Sequence, residues 1–272
     1  MQLRDAIAAE LARLTAPGGP ASTDSVRATH RVFADDPQRA IVRKRVIADY
    51  LDRSGTPSQG TAAIITAGVP GAGKSSAVDM VLGDAAPEFR RLDADLIKDD
   101  LLVDAMHCGL FDDLLSTTLS DGRPIAPREL AALVHHESTQ IWDALRRHCI
   151  ARGEQVVIEG TLTWPPLGTS LLTELSAAGY ADITVIAVEV PESVAQQRAL
   201  NRWWNVRSAG VDELGGRFTP PDVIAHAYQS DGVSVCMTNA AALTSTTLFD
   251  AISITLYVVD ETGQIVRQNG TG

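Results

Sequence analysis

The sequence predicts an α/β fold, with a mainly parallel sheet covered by helices on both faces, preceded by a helical extension. Short apolar runs typical of buried strands recur from about residue 60 onward. Helix-like stretches lie between these runs, and strands that alternate with helices favour parallel pairing because each crossover needs a helix-length connection. Residues 1–59 are therefore expected to form the helical extension, and residues 60–272 one domain.

The length and charge of the chain exclude several classes of protein. The chain has 272 residues, of which 45% are hydrophobic and 21% charged, which is ordinary for a packed globular protein. Its 23 Lys+Arg against 34 Asp+Glu give a formal net charge of −11. This acidic balance argues against nucleic acid and anionic membranes as partners. It does not exclude an anionic small molecule, because a local cluster of cations can oppose the global sign.

Targeting signals and disulfides are not expected. No apolar run approaches the ~20 residues that span a bilayer, and charges interrupt the first apolar residues, unlike a signal peptide. The three cysteines Cys108, Cys149 and Cys236 are widely spaced and form no C-x-x-C pair, which favours free thiols in a reducing compartment. We expect a cytoplasmic protein.

The extension has two amphipathic stretches. Apolar residues at spacings of four and three define one face of a first helix: Leu3, Ile7, Leu11 and Leu14. A second stretch begins after Asp36-Pro37, typical of an N-cap and first helical position, and ends near Gly55. The basic run 43–45 on this second helix is interpreted as its solvated face.

The domain from residue 60 onward shows five strand-like runs. These runs are Thr61–Ala67, Phe89–Asp93, Gln155–Glu159, Ile183–Val190 and Ile252–Val259. The clearest helix-like stretches between them are Pro127–Arg152 and Leu171–Gly179. After the last run, the chain is expected to turn back through 261–263 and pair residues 264–266 as an antiparallel edge strand.

A glycine-rich loop follows the first predicted strand and carries the strongest chemical signal. It matches G-x-x-x-x-G-K-[ST] and opens a predicted helix, as a phosphate-binding loop requires. Lys74 would reach the β- and γ-phosphates of ATP, and the Ser75 hydroxyl would bind Mg²⁺. The alternative is a chance glycine-rich turn. The motif predicts a P-loop NTPase with three α/β/α layers, but it does not distinguish a kinase from a motor, a switch or a GTPase; the carboxylates and arginines after later strands favour a core like that of nucleotide kinases. The predicted nucleotide-binding residues are Gly68, Val69, Pro70, Gly71, Ala72, Gly73, Lys74, Ser75 and Ser76.

Carboxylates and arginines follow later strands. Asp93 and Asp95 end the second predicted strand, where one carboxylate could accept a proton from an attacking hydroxyl and the other could cap the next helix. Glu159 ends the third. A basic cluster follows the fourth, where arginine forks match phosphate geometry and nearby glycines would let the segment close as a lid. Surface salt bridges are the alternative for two of its members, Arg198 and Arg207.

These motifs, in this order, resemble those of the zeta toxin family, P-loop kinases of UDP-N-acetylglucosamine. The resemblance implies that Asp95, the second aspartate of the Asp-x-Asp pair, is the catalytic base. The family's I-E-G-T motif corresponds to Ile158–Thr161, which assigns Glu159 and Thr161 to the sugar nucleotide. The resemblance implies roles for further residues. Lys98 and Asp143 correspond to substrate-binding positions, Arg202 and Arg217 to the phosphate-facing arginines, and Leu248-Phe249-Asp250 to a motif before the last strand.

The resemblance implies transfer of the γ-phosphoryl group of ATP, with Mg²⁺, to the 3′-hydroxyl of UDP-N-acetylglucosamine, and it suggests an antitoxin partner. Two departures keep alternatives open. The family often has His-Pro shortly after the Asp-x-Asp pair, where this chain reads Asp99-Asp100-Leu101-Leu102, and an arginine after its E-G-T-L segment, where this chain has Thr163. The alternatives to this function are a kinase of another metabolite or nucleotide cofactor and a non-catalytic ATP-binding switch. The helical extension could act as a built-in regulator, brace the sheet or receive a partner.

Overall fold

The structure is a computed structural model that describes residues 3–245 and 252–269, so the motif at Leu248–Asp250 lies outside the described residues. Contacts divide the chain into two compact units. We call the first the helical unit, which comprises the chain up to Arg53, Ala94–Asp143 and Ala199–Pro221. The sheet unit comprises Ser54–Asp93, Ala144–Arg198 and the chain from Asp222 onward. A domain boundary near residue 60 stays a prediction.

The elements follow in chain order. The strands are β1 (Ala62–Ala67), β2 (Arg90–Leu92), β3 (Val156–Ile158), β4 (Asp182–Val188), β5 (Ser253–Val259) and β6 (Ile265–Asn269). The α-helices are α1 (Leu3–Thr15), α2 (Thr29–Val32), α3 (Arg39–Arg53), α4 (Lys74–Leu82), α5 (Ala94–His107), α6 (Asp112–Leu115), α7 (His135–Ala151), α8 (Pro165–Ala177), α9 (Glu192–Ala209), α10 (Pro221–Ala225) and α11 (Val235–Thr244). Two 3₁₀ helices span Gly83–Glu88 and Pro127–Val134.

The sheet unit contains a single sheet within its described residues. The strand order is β2-β3-β1-β4-β5-β6, in which the first five strands are parallel and β6 pairs antiparallel with β5. The five predicted strands and the antiparallel edge strand are confirmed. Residues 63–67 of β1 are all buried, and α4 and α11 pack on β1 and β4. Helices cover the central strands, which explains their continuous apolar sequences.

The helical unit buries the central residues of the two amphipathic stripes that the sequence predicts, whereas Leu3, at the start of the first stripe, is exposed. Ile7 and Leu11 of α1 are buried, as are Val46 and Tyr50 of α3. The helix predicted from Pro127 is divided at His135 into a 3₁₀ segment and α7. None of the helices in the described residues is long and apolar enough to cross a bilayer.

Ion pairs attach α3 to the rest of the helical unit. Arg39 and Glu137 are almost completely buried and form a bidentate pair, with Nε–Oε1 and NH2–Oε2 distances of 2.7 and 2.9 Å. Arg43 also donates to Glu137, and Arg45 pairs with Asp104 on α5. Lys44 and Arg45 are exposed, as the interpretation of run 43–45 as a solvated face predicts, and Arg43 is partly exposed. The two arginines of this face also form ion pairs with acidic residues far away in the sequence.

A second buried network fixes α9. Glu129 accepts hydrogen bonds from the Trp203 indole nitrogen at 2.7 Å and from Arg207 NH1 at 2.8 Å. Arg207 also pairs with Asp121, and its side chain is only 2% exposed. Because each buried charge has an opposite partner, this network is structural. Arg207 thus forms salt bridges, as the alternative predicts, but they are buried and not on the surface.

Candidate active site

The glycine-rich loop joins β1 to α4 and has the backbone conformation that its glycines permit. Gly68, Gly71 and Gly73 have φ angles of 147°, 86° and 106°. Any other residue would be strained there. A Cβ atom on Gly68 would also lie 2.8 Å from the Val188 carbonyl oxygen. The loop therefore needs glycine both for its backbone conformation and for close approach to β4.

Lys74 and Ser75 occupy the first turn of α4. The Lys74 ammonium donates to the carbonyl oxygens of Gly68 and Val69, at 2.8 and 3.2 Å, so its charge lies over the loop. Ser75 and Ser76 are exposed, and the N-cap residue is Gly73, which has no side chain to cap the helix N-terminus. A cation and a helix N-terminus together provide the potential that a phosphate group requires.

Glu159 lies beside this loop at the carboxyl end of β3. Its Oε2 atom is 3.4 Å from the Ser75 hydroxyl, and its Oε1 accepts from Arg91 Nε at 2.8 Å. Arg91 also pairs with Asp79 on α4. A serine hydroxyl and a neighbouring carboxylate offer the hard oxygen ligands that Mg²⁺ prefers, so these residues fit the ion that the loop motif implies.

The segment after Glu159 is tied to the loop and contains a strained residue. The Gly68 amide donates to the Thr161 carbonyl oxygen at 3.0 Å, and the Thr66 hydroxyl bonds both the amide and the carbonyl of Gly160. Leu162 has a φ of 58°, a left-handed conformation that is costly for a branched side chain. Asn239 on α11 donates to the Leu162 carbonyl oxygen at 2.8 Å and so holds this turn.

Replacement of Asn239 by alanine is expected to destabilise the chain. The change removes the donor to a backbone carbonyl beside a strained residue, which should lower the free energy of unfolding by about 1–2 kcal/mol. Urea denaturation measures the difference. Leu162→Gly relieves the strain but also removes a buried side chain, so the effect of Asn239→Ala is measured within that background, where we expect it to be smaller. An equal loss in both backgrounds would show that Asn239 does not act through the strained turn.

In the helical unit, Asp95 lies in the first turn of α5 among cations. Its carboxylate is 2.8 Å from Lys98 Nζ and 3.3 Å from Arg217 Nε. Burial would raise the pKa of Asp95, but the charges of Lys98 and Arg217 outweigh it, and with a smaller contribution from Arg202 they hold the pKa below its ordinary value. Asp95 is therefore ionised throughout the neutral range.

The segment before Arg217 is tightly packed. A Cβ atom on Gly216 would overlap the Trp203 carbonyl oxygen, and one on Gly215 would overlap the side chain of Ala126. Trp203 is fully buried and its ring contacts Phe218 edge-on, at 5.2 Å between centroids. Close packing thus requires small residues at both glycine positions. Closure of the segment as a lid stays a prediction.

The predicted site residues fall into two groups, one in each unit. The sheet unit contains the loop residues 68–76, Glu159 and Thr161. The helical unit contains Asp95, Lys98, Asp143, Arg202 and Arg217. Within the first group, Glu159 and Thr161 contact the loop; within the second, Lys98 and Arg217 contact Asp95. Asp143 is partly buried on α7 and Arg202 is exposed on α9, and the roles of both stay predictions.

Arg198 of the predicted basic cluster donates to the carbonyl oxygens of Ala72 in the loop and Glu261 after β5, both at 3.1 Å, and within the described residues it does not form the surface salt bridge that was the alternative. Three other residues of these groups were not predicted from the sequence. Arg91 and Asn239 belong to no motif. Asp99, which binds Arg217, had a usable signal, because it lies four residues after Asp95 and therefore on the same face of α5.

A comparison with protein families shows to which family the chain belongs. The family model described as Zeta toxin matches residues 119–262, more than half of the 272 residues. The chain belongs to the zeta toxin family. The matched range contains Asp143, Glu159, Thr161 and both predicted phosphate-facing arginines. The glycine-rich loop and Asp95 precede it, so their assignment rests on their own motifs and geometry.

Solved structures share the fold of this zeta toxin family member. A chain from the PezAT chromosomal toxin-antitoxin system of Streptococcus pneumoniae has a TM-score of 0.58 at 15% identity, covering 83% of this chain and 79% of its own. AvrRxo1-ORF1:AvrRxo1-ORF2 with sulphate ions gives 0.54 at 14% identity, covering 85% and 66%. The same complex with ATP gives 0.52. No curated protein sequence matches this chain.

Proposed function

We propose that this chain is an ATP-dependent kinase that transfers the γ-phosphoryl group to a hydroxyl of a sugar nucleotide. The observation that carries the proposal is the ionised carboxylate of Asp95, held by Lys98 and Arg217 in a chain that also has a phosphate-binding loop. Nucleotide binding alone needs the loop but has no use for a carboxylate among cations. Membership of the zeta toxin family supports the same assignment.

The loop is assigned to ATP. Its backbone N–H groups and the N-terminus of α4 would bind the phosphates, and Lys74 would turn from the loop carbonyls toward the β- and γ-phosphates. Ser75, with Glu159 beside it, would hold Mg²⁺, which when bound neutralises charge on the phosphates. The solved AvrRxo1 complex with ATP supports the choice of nucleotide.

Asp95 is assigned as the base. It accepts the proton of the acceptor hydroxyl while the hydroxyl oxygen bonds to the γ-phosphorus. The bond from that phosphorus to the β–γ bridging oxygen breaks, and ADP leaves with the electron pair. Arg202 and Arg217 stabilise the charge on the transferring group, because arginine forks match its oxygens.

The acceptor is the 3′-hydroxyl of UDP-N-acetylglucosamine in our proposal. Glu159, Thr161, Asp143 and Lys98 would bind it, as the family motifs imply. A protein partner is proposed as well, since PezAT is a toxin-antitoxin system. Helices α1–α3 could instead regulate the activity within the chain.

A product assay tests the proposal. The purified chain is incubated with ATP, Mg²⁺ and a panel of sugar nucleotides, and the products are analysed by phosphorus NMR and mass spectrometry. We expect a new phosphomonoester on UDP-N-acetylglucosamine and none on an analogue that lacks the 3′-hydroxyl. Phosphorylation of a different panel member would replace the acceptor but keep the kinase. Tight ATP binding without transfer to any acceptor would favour the non-catalytic switch.

A further inference from the structure

Arg217 has an incomplete set of hydrogen bonds. Its NH2 group donates to Asp99 Oδ1 at 2.6 Å and to the Asp95 carbonyl oxygen at 3.0 Å, and its Nε atom is 3.3 Å from Asp95 Oδ2. Its NH1 group is buried and has no hydrogen-bond partner among the described residues. The guanidinium is thus held by its Nε and NH2 groups, whereas its NH1 group lacks an acceptor among the described residues.

An unpartnered buried N–H group of a cation is unfavourable in the resting protein. Buried donors nearly always find an acceptor, and a charged donor loses more than a neutral one when it does not. The acceptor that completes Arg217 would best be an anionic oxygen, since the guanidinium keeps its charge under all ordinary conditions. A phosphoryl oxygen of a ligand is an acceptor of this kind.

Asp99 makes the shortest of the three contacts that hold NH2 and Nε of Arg217. Its carboxylate accepts from Arg217 and also from Arg128, whose Nε and NH2 lie 3.1 Å from Oδ1 and Oδ2. Arg128 NH1 donates in turn to Asp212 at 2.6 Å and to the Gly215 carbonyl oxygen at 2.9 Å. Asp99 is thereby fixed from two sides, and Arg128 joins it to the segment that leads into Arg217.

We propose that Asp99 is a positioning residue, which with Arg128 holds the Arg217 guanidinium by NH2 so that NH1 is presented to a phosphoryl oxygen of the substrate. This inference rests on the proposed kinase function. Asp99 acts through Arg217 and does not touch the substrate. The Asp99 carboxylate adds a second negative charge beside Arg217. The guanidinium is therefore shared between Asp99 and Asp95 and does not pair with Asp95 alone.

The first test observes Arg217 in the unliganded chain and needs no activity. In nitrogen-15 NMR spectra of arginine side chains, the Arg217 Nε–H signal is assigned by its loss in Arg217→Lys. We expect slow guanidinium rotation in the wild type and fast rotation in Asp99→Asn. Asp100→Asn is the matched control: Asp100 follows directly on α5 but pairs with Arg53. Unchanged rotation in Asp99→Asn would overturn the proposal.

The second test measures kinetics with the acceptor that the product assay identifies. Asp99→Asn should lower kcat by about 10–100-fold, because a displacement of roughly 1 Å costs up to that much, while the KM for ATP changes less than about threefold. Asp99→Glu should recover part of kcat, since it restores the charge. Asp100→Asn should behave as the wild type. Equal kcat for Asp99→Asn and Asp100→Asn would overturn the proposal.

The two tests separate failure of this inference from failure of the proposed function. Ordered Arg217 in the wild type, fast rotation in Asp99→Asn and no product with any acceptor would support the positioning of Arg217 and reject the kinase. Product formation by the wild type with no effect of Asp99→Asn on either rotation or kcat would keep the kinase and reject the role of Asp99. Thermal melts of each variant confirm that the fold is intact.

Discussion

Replacement of Asp95 by asparagine is expected to lower kcat by about 10²–10⁴-fold, the usual loss when a general base is removed. Asparagine keeps the shape and one acceptor oxygen but cannot take the proton of the acceptor hydroxyl. Product formation is measured under saturating ATP and acceptor. Asp93→Asn is the matched control, two positions earlier in the same Asp-x-Asp motif, and it should cost less than about tenfold. Wild-type turnover in Asp95→Asn would reject the base assignment.

The pH dependence of the wild type provides a further check on Asp95. Its pKa lies below the ordinary 3.8, since the charges of Lys98 and Arg217 outweigh the effect of burial. Asp95 therefore stays deprotonated as the pH falls from 8 to about 5, and its titration should cause no loss of kcat/KM over that interval. The free energy of unfolding depends on pH in the same direction. The contribution of the ionised carboxylate is complete above its unfolded pKa and is lost only as the pH falls through the lower, folded value.

A carboxylate with a lowered pKa is a weak base, but the effect of Arg217 on the pKa of Asp95 should change when a phosphate binds. Bound phosphate would share the charge of Arg217 and so weaken its effect on Asp95. The pKa of Asp95 should then rise when ATP binds. Under the proposed function, the cations that lower the pKa of Asp95 in the resting protein would thus leave it more basic once ATP is bound.

Most of the fold could be predicted because its signals are local. Each strand of the sheet is a short apolar run, since helices cover the sheet and leave no alternating polar face. The edge hairpin followed from a turn sequence. Element boundaries were less accurate. The stretch from Pro127 begins as a 3₁₀ helix, in which the Glu129 carboxylate accepts from the Ala126 amide and from buried Arg207. That geometry depends on α9, which no local pattern around Pro127 reveals.

The parts of the candidate site that lie in contiguous motifs could be predicted. The glycine-rich loop could be found because its glycines, its lysine and its serine hydroxyl lie within eight residues of sequence. The side chains that pair with these groups could not be predicted. Arg217 and Asp99 are 118 residues apart, and Arg91 and Glu159 are 68 apart. Ion pairs over such distances depend on tertiary packing, and an arginine in a sequence does not indicate which acid it will meet.

Replacement of Lys74 by alanine is expected to lower kcat by at least about 10²–10³-fold, the loss typical of removing one preorganised donor to a charge that develops in the transition state. Lys74 donates to the Gly68 and Val69 carbonyl oxygens, so the variant also removes the cation that covers the loop. Lys74→Arg should be almost as inactive, because the planar guanidinium is longer and cannot replace a compact ammonium in a closely packed loop.

The controls for Lys74 separate loss of chemistry from loss of fold. Lys44→Ala removes an exposed lysine from α3 and should leave kcat unchanged. Thermal melts should be similar for all variants, because Lys74 is only partly buried and alanine is a good helix former in the first turn of α4. ATP affinity, measured by calorimetry, should fall in Lys74→Ala and stay unchanged in Lys44→Ala. If Lys74→Ala kept both ATP affinity and turnover, the glycine-rich loop would not be the phosphate site, and the ATP assignment would fail with it.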